Sequence, residues 1–197
     1  MYKRQLLHPS RNPHLTKEQI EQNLRDYLGI TKVIWLPHGL HYCDETNGHI
    51  DNLLHVIRPG EVALTWTDDA SDDLYQFCRE ALAVLSSEKD AMGRSIKVYK
   101  LPAPGPLYRT KEEATGIDFT DNMARGEGER LAGSYANFLI SNGAIIFPML
   151  DEKYDAAAKD ILQEAFPQYD IIGVPTREVV LGGGNIHCIT QQIPSAK

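Results

Sequence analysis

Gly60-Glu61-Val62-Ala63-Leu64-Thr65-Trp66 decides the fold, because its pattern returns at Gly143-Ala144-Ile145-Ile146-Phe147-Pro148-Met149. Each stretch is a short apolar run opened by glycine and reads as a strand. Helices are expected from about Asp72 after the first and from about Glu152 after the second. Leu74, Phe77, Cys78, Ala81, Leu82 and Leu85 fall on one face of the first helix, and Tyr154, Ala157, Ala158, Ile161, Leu162 and Ala165 on one face of the second. Both stripes follow the same helical spacing, the mark of a helix laid on a sheet. Each helix leads to a further strand, Ile96 to Pro102 and Asp170 to Pro175, and each block follows a strand that ends before Arg58-Pro59-Gly60 or Ser141-Asn142-Gly143. The unit is therefore two strands, a helix and a strand, repeated with an offset of 83 residues between Gly60 and Gly143. Repeats of this kind bury their faces against neighbouring copies, so the fold class is α/β built from ββαβ units.

Outward from the repeats, Thr16 and Gln19 form a capping box for a helix from Thr16 to Leu28, stopped by Gly29, with Ile20, Leu24, Tyr27 and Leu28 as its apolar stripe. Lys32-Val33-Ile34-Trp35-Leu36 reads as a short buried strand ended by Pro37. The stretch from Pro102 to Gly133 is rich in Pro, Gly and charge and reads as a long loop, with a short helical part near Gly128 to Leu131.

The chain has 197 residues, 42% hydrophobic and 24% charged, with a formal net charge of −7 from 20 Lys plus Arg and 27 Asp plus Glu. This acidic balance argues against a nucleic-acid or anionic-membrane partner and suits a cationic small molecule. No stretch has the apolar length of a membrane span, and the basic N-terminal segment has no apolar region of a signal peptide. Three cysteines, Cys43, Cys78 and Cys188, are too few and odd in number for a disulfide framework, so a reducing cytoplasm is expected.

Two clusters carry candidate chemistry: Asp44-Glu45-Thr46-Asn47-Gly48-His49-Ile50-Asp51-Asn52 and Leu181-Gly182-Gly183-Gly184-Asn185-Ile186-His187-Cys188-Ile189-Thr190. Cys188 follows three glycines, which allow close backbone approach and offer free amides. A thiolate is a strong nucleophile, and His49 is of the type that passes a proton to a leaving group and then activates water. Asp51, two residues on, can orient that histidine or bind a cation, and a planar guanidinium calls for carboxylates. Cys188, His49 and Asp51 are thus the parts needed to attack an amidine carbon. Plainer readings stand beside this one. Cys78 on a helix stripe reads as structural, as do His8, His14, His38, His55 and His187, and the glycine run can be a simple bend. His38, His41, Cys43 and His49 lie close in sequence but match no strong zinc spacing, and a papain-like protease places its cysteine before its histidine.

The run from Gly182 to Gln192 resembles the nucleophile motif of agmatine deiminases, and Asp44 to Asn52 resembles the histidine and aspartate motif of the same family. Similarity continues through Ser10-Arg11-Asn12-Pro13, Lys32 to Pro37, Trp66-Thr67-Asp68-Asp69 and Arg130 to Phe138, so it covers nearly the whole chain from about Gln5. The resemblance, to the peptidyl-arginine deiminase-like, guanidino-group-modifying superfamily, implies a five-bladed α/β propeller (the pentein fold). It implies that residues 1–197 form a single partial propeller domain, with repeat units at about 52–102 and 134–192 and a long loop at 103–133. It implies hydrolysis of agmatine to N-carbamoylputrescine and ammonia, a step of putrescine biosynthesis, without metal or cofactor. Cys188 is the implied nucleophile, His49 the acid and base, and Asp51 the guanidinium holder; Glu45 is a candidate for the tail amine, and Gly183 and Gly184 line the substrate. Family members carry a section preceding the point that matches Gln5, with further carboxylates and about half of the propeller. The chain is therefore expected to self-associate, or to bind a partner chain that covers its open edges. The alternatives are a truncated, non-catalytic module of the same fold and a deiminase acting on arginine or peptidyl-arginine.

Overall fold

A computed structural model of the chain describes residues 5–8, 11–40, 48–115 and 126–193. β1 (Leu54–Arg58) pairs antiparallel with β2 (Glu61–Trp66), which pairs in parallel with β3 (Lys97–Pro102). A parallel neighbour needs a long crossover, and the 14-residue helix α2 (Leu74–Ser87) supplies it. After the short helix α3 (Lys111–Ala114), the order recurs: β4 (Leu139–Ile140) against β5 (Ala144–Met149), then α4 (Glu152–Ala165) leading to β6 (Asp170–Pro175). Among the described residues two three-stranded sheets result, each with its helical crossover. A last turn of helix, α5 (Arg177–Val180), follows β6.

β2 is buried on both faces, which is why its sequence is nearly all apolar rather than alternating. Val62 and Leu64 join Leu74, Cys78, Ala81 and Leu85 of α2 in one core. Ala63 turns the other way and joins Tyr99, Leu101 and the α4 residues Ala158, Leu162 and Ala165 in a second. Helix α4 therefore packs on β3 of the first unit as well as on its own sheet. Between the units runs the stretch from Leu131 to Phe138, buried throughout, with Gly133 packed against the Leu107 and Pro104 side chains. Its backbone is neither helix nor strand, so its polar groups need partners. The fully buried Thr65 of β2 donates to the Asn52 carbonyl and meets the Ser134 hydroxyl, each at 2.9 Å. Arg130, at the start of the stretch, grips Asp72 at 3.0 and 2.7 Å.

Several sequence expectations need correction. Lys32 to Leu36 joins no ladder among the described residues, because no described strand lies beside it. Helix α1 (Lys17–Leu28) has its capping box at Thr16 and Gln19 and ends at Gly29. Of its apolar stripe only Ile20 is buried, and Tyr27 and Leu28 face solvent. No helix forms at Gly128 to Leu131; Arg130 instead bridges Tyr108 as extended backbone. Among the described residues the turn of helix in this region is α3, whose Thr110 and Glu113 form a capping box that was readable in sequence. No described helix is long and apolar enough to cross a membrane.

Burial alone would push the Asp72 carboxyl up, but Arg130 and the Leu74 amide outweigh it and hold the group below the usual carboxylate range. A depressed folded value means stability that is present above the ordinary carboxylate range and is lost as pH falls through the folded value. Arg130→Ala should cost about 3 kcal/mol at neutral pH, the scale for stranding one partner of a buried pair. Urea unfolding should show that cost shrinking as the pH is lowered toward the acid limb, where Asp72 becomes neutral.

Candidate functional site

Asp51 sits in a single helical turn, Ile50–Asn52, just before β1. Gly39 packs so closely on Gly48 that a Cβ there would overlap the Gly48 carbonyl, which fixes the entry to His49. Cys188 comes from the opposite end of the chain, on the irregular loop after α5. Gly183 holds a positive φ of 93°. A Cβ on Gly184 would lie 2.8 Å from the Cys188 Cβ and 2.9 Å from its Sγ, so only glycine lets the loop fold back on the thiol.

The two clusters meet. Cys188 Sγ is 3.2 Å from Asp51 Oδ2, and the same oxygen receives His187 Nδ1 at 2.7 Å. The other oxygen, Asp51 Oδ1, is buried, accepts no hydrogen bond among the described residues and lies 4.0 Å from His49 Nδ1. Arg11 Nη2 stands 2.6 Å from His49 Nε2. A guanidinium can only donate, so Nε2 accepts and the ring proton lies on Nδ1, toward Asp51. Glu45, His41 and Cys43 lie outside the described residues.

Charge in this group is opposed and balanced. Burial would raise the Asp51 carboxyl, yet hydrogen bonds from His187 and Cys188 and the nearby imidazoles hold it below its ordinary value. His49 is lowered, first by burial and then by Arg11, against the pull of Asp51. The Cys188 thiol is raised, chiefly by burial and also by the Asp51 charge, against hydrogen bonds from the Asn185 backbone and the Asn137 amide. At neutral pH the group is a thiol in contact with an ionised carboxylate, with a neutral imidazole 4.0 Å from that carboxylate.

Two contributors escaped the sequence reading. His187, read as structural, donates to Asp51; its ring is met edge-on by His55 at 4.9 Å between centroids, and His55 stacks on Phe138 while bonding the Ala136 carbonyl. Asn137 is fully buried and touches Cys188 at both its sulfur and its backbone amide. Its sequence signals were a polar residue set between apolar neighbours and its place in the Arg130 to Phe138 stretch. The stretch read as a loop at 103–133 also reaches this region. Arg109 donates to the Leu181 carbonyl, and Glu113 pairs with Arg177 at 2.6 and 2.9 Å, so it braces the helix that precedes the glycines. His38 pairs with Glu80 and stacks on Phe77. Among the described residues no group of three His, Cys, Asp or Glu side chains is arranged to hold a metal ion.

The chain compares with known proteins as follows. The family model of Porphyromonas-type peptidyl-arginine deiminases matches residues 1–194. A Pectobacterium atrosepticum protein with the provisional name agmatine deiminase is 62% identical over 192 residues, 98% of this chain and 52% of that protein. The solved agmatine deiminase of Enterococcus faecalis is 44% identical with a TM-score of 0.89, covering 98% of this chain and 53% of that one. A substrate-bound agmatine deiminase variant of C. jejuni is 30% identical with a TM-score of 0.78, covering 95% and 49%. The chain spans about half the length of the curated relatives it matches. Both its sequence and its α/β fold place it in one group, and the chain belongs to the Porphyromonas-type peptidyl-arginine deiminase family.

Proposed function

We propose that this chain carries the nucleophile and its carboxylate for an agmatine deiminase-type hydrolase acting on the guanidinium of a small cation. The observation that carries this is the contact of Cys188 Sγ with Asp51 Oδ2 at 3.2 Å, beside a buried second oxygen that accepts no hydrogen bond among the described residues. A carboxylate next to a thiol opposes thiolate formation, so it is a poor activator of an isolated cysteine. A guanidinium placed on Asp51 reverses that sign: it neutralises the carboxylate and stabilises the developing thiolate. Solved relatives described as agmatine deiminases, and one described as substrate-bound, support the same substrate class.

In this mechanism Asp51 holds the guanidinium nitrogens. The Cys188 thiol proton passes to His49 Nε2, displacing the Arg11 hydrogen bond there, and the thiolate forms a bond to the guanidinium carbon. Collapse of the tetrahedral adduct breaks one C–N bond, and the His49 imidazolium protonates the nitrogen that leaves as ammonia. A thiouronium remains on the cysteine. Water then attacks its carbon as His49 takes a proton, the C–S bond breaks, and the thiolate regains a proton. From agmatine and water the products are N-carbamoylputrescine and ammonia, which places the step in putrescine biosynthesis. No cofactor enters this sequence. Gly183 and Gly184 line the substrate beside the sulfur, and Glu45 receives the tail amine.

The chain contributes two ββαβ repeats, at about 52–102 and 134–192, of a five-bladed α/β propeller, as one partial domain. Its open sheet edges are covered by self-association or by a partner chain. The cytoplasm is the compartment.

The purified 197-residue chain, given agmatine, should release ammonia and N-carbamoylputrescine in equal amounts, with Cys188→Ala reduced to background. A folded chain with no turnover sinks the reading for this chain. Asp51→Asn should separate two properties. Turnover falls by about 10²–10³-fold, on the scale of removing one transition-state contact, while iodoacetamide alkylation of Cys188 shifts to lower pH because the opposing charge is gone. Arg11→Ala removes a cation that lowers His49. His49 should then protonate at higher pH, and the acid limb of kcat/KM should move upward.

A further inference from the structure

We propose that Asn137 is a catalytic residue of this site, its side-chain amide donating a hydrogen bond to the Cys188 sulfur and stabilising the thiolate. The inference deepens the cysteine chemistry proposed above and rests on it. Asn137 is wholly buried, and its Nδ2 lies 3.1 Å from Cys188 Sγ. Which end of the amide meets the sulfur is set by its neighbours. Oδ1 accepts the Cys188 backbone N–H at 3.2 Å, and a backbone N–H can only donate, so the nitrogen must be the end turned to the sulfur. Nδ2 also reaches Asn52 Oδ1 at 3.0 Å, and the Asp51 carbonyl is a longer 3.4 Å away. One side chain therefore holds the nucleophile by both its backbone and its reacting atom.

A buried asparagine with satisfied partners is ordinarily a structural residue. Here the Asp51 and Asn52 oxygens together could take both amide protons, so a purely structural asparagine would not need the sulfur. The amide instead approaches sulfur, a larger atom than oxygen, more closely than it approaches the Asp51 carbonyl. The strength of that contact depends on the charge of the sulfur. With the thiol proton directed at Asp51 Oδ2, a neutral sulfur is a weak acceptor. Once ionised, it forms a charge-assisted bond roughly twice as strong. In the thiouronium the sulfur is again a weak acceptor, and the bond returns as the C–S bond breaks. Asn137 thus favours the thiolate both as it forms and as it departs, which is differential stabilisation rather than uniform binding. Burial and the Asp51 charge push the thiol up; Asn137 and the Asn185 backbone oppose them.

The test reads the thiol directly, so it does not depend on agmatine being the substrate. Iodoacetamide alkylation of the 197-residue chain is followed against pH, with Cys188→Ala subtracting the other cysteines. Asn137→Ala should raise the midpoint for Cys188 by about one pH unit, as expected for loss of a hydrogen bond to a charged group. Agmatine turnover should fall by about 10²-fold, on the scale of a lost transition-state donor. An unchanged midpoint in a folded Asn137→Ala protein overturns the assignment. Should the alanine variant not fold, Asn137→Leu keeps the size and loses the donor without placing a charge beside the sulfur. A wild-type midpoint in the leucine variant overturns the assignment, and a raised one supports it. A midpoint that rises in a chain with no agmatine turnover would remove the hydrolase reading and leave Asn137 as the thiolate donor.

Discussion

The site depends on the buried amide of Asn137, which joins two irregular segments that no regular element holds together. The turn at Ile50–Asn52 and the glycine loop before Cys188 both lack ladder partners for their backbone groups. Irregular backbone in a protein interior is stable only where its polar groups are met. Asn137 meets the Asp51 carbonyl, the Asn52 side chain and the Cys188 amide at once, and its own carbonyl accepts the His187 N–H at 3.2 Å. The same stretch anchors to β2 through Ser134 and Thr65 and to the head of α2 through Arg130 and Asp72. A segment without secondary structure is thereby made rigid by side-chain bonds to its neighbours, and the geometry of the thiol follows from it.

How much of this could be read in the sequence differs from part to part, for physical reasons. The two ββαβ units were legible because periodicity is local: a helix stripe needs only its own fourteen residues, and Leu74, Cys78, Ala81 and Leu85 fell on the buried face as their spacing requires. The capping box of α1 was equally local. Lys32 to Leu36 failed because a strand is a property of two chains of residues, and its own composition does not tell whether a partner lies beside it. The same holds for Tyr27 and Leu28, apolar and correctly spaced but exposed on the helix. Cys188, His49 and Asp51 stood out as candidates by residue type and glycine context, and the structure brings the cysteine and aspartate into contact. Asn137 was not, because the meaning of a buried amide lies entirely in which distant groups it meets.

His187 shows a similar limit. Adjacent to Cys188, it read as a satisfied structural histidine, and its bonding is in fact satisfied. Its partner, however, is the carboxylate that touches the thiol. By occupying Asp51 Oδ2 it directs the other oxygen toward His49, and the ring of His55, fixed by the Ala136 carbonyl and the face of Phe138, keeps His187 from turning away. Orientation of one carboxylate thus draws on β1, on the Ser134 to Phe138 stretch and on the last loop together.

The arrangement of charge bears on substrate class more directly than any single residue does. Nucleophilic cysteines are ordinarily activated by nearby positive charge or by a helix terminus. Cys188 contacts neither among the described residues; it has an ionised carboxylate at 3.2 Å, and its thiol is pushed up by burial and by that charge. An electrically neutral substrate would leave that opposition in place, and the thiolate would remain scarce at neutral pH. Under the proposed function a guanidinium would supply the missing charge where it is needed, because the group held by Asp51 would be the one attacked by Cys188. Binding and activation then become the same event, so a neutral analogue of equal shape would lose reactivity as well as affinity.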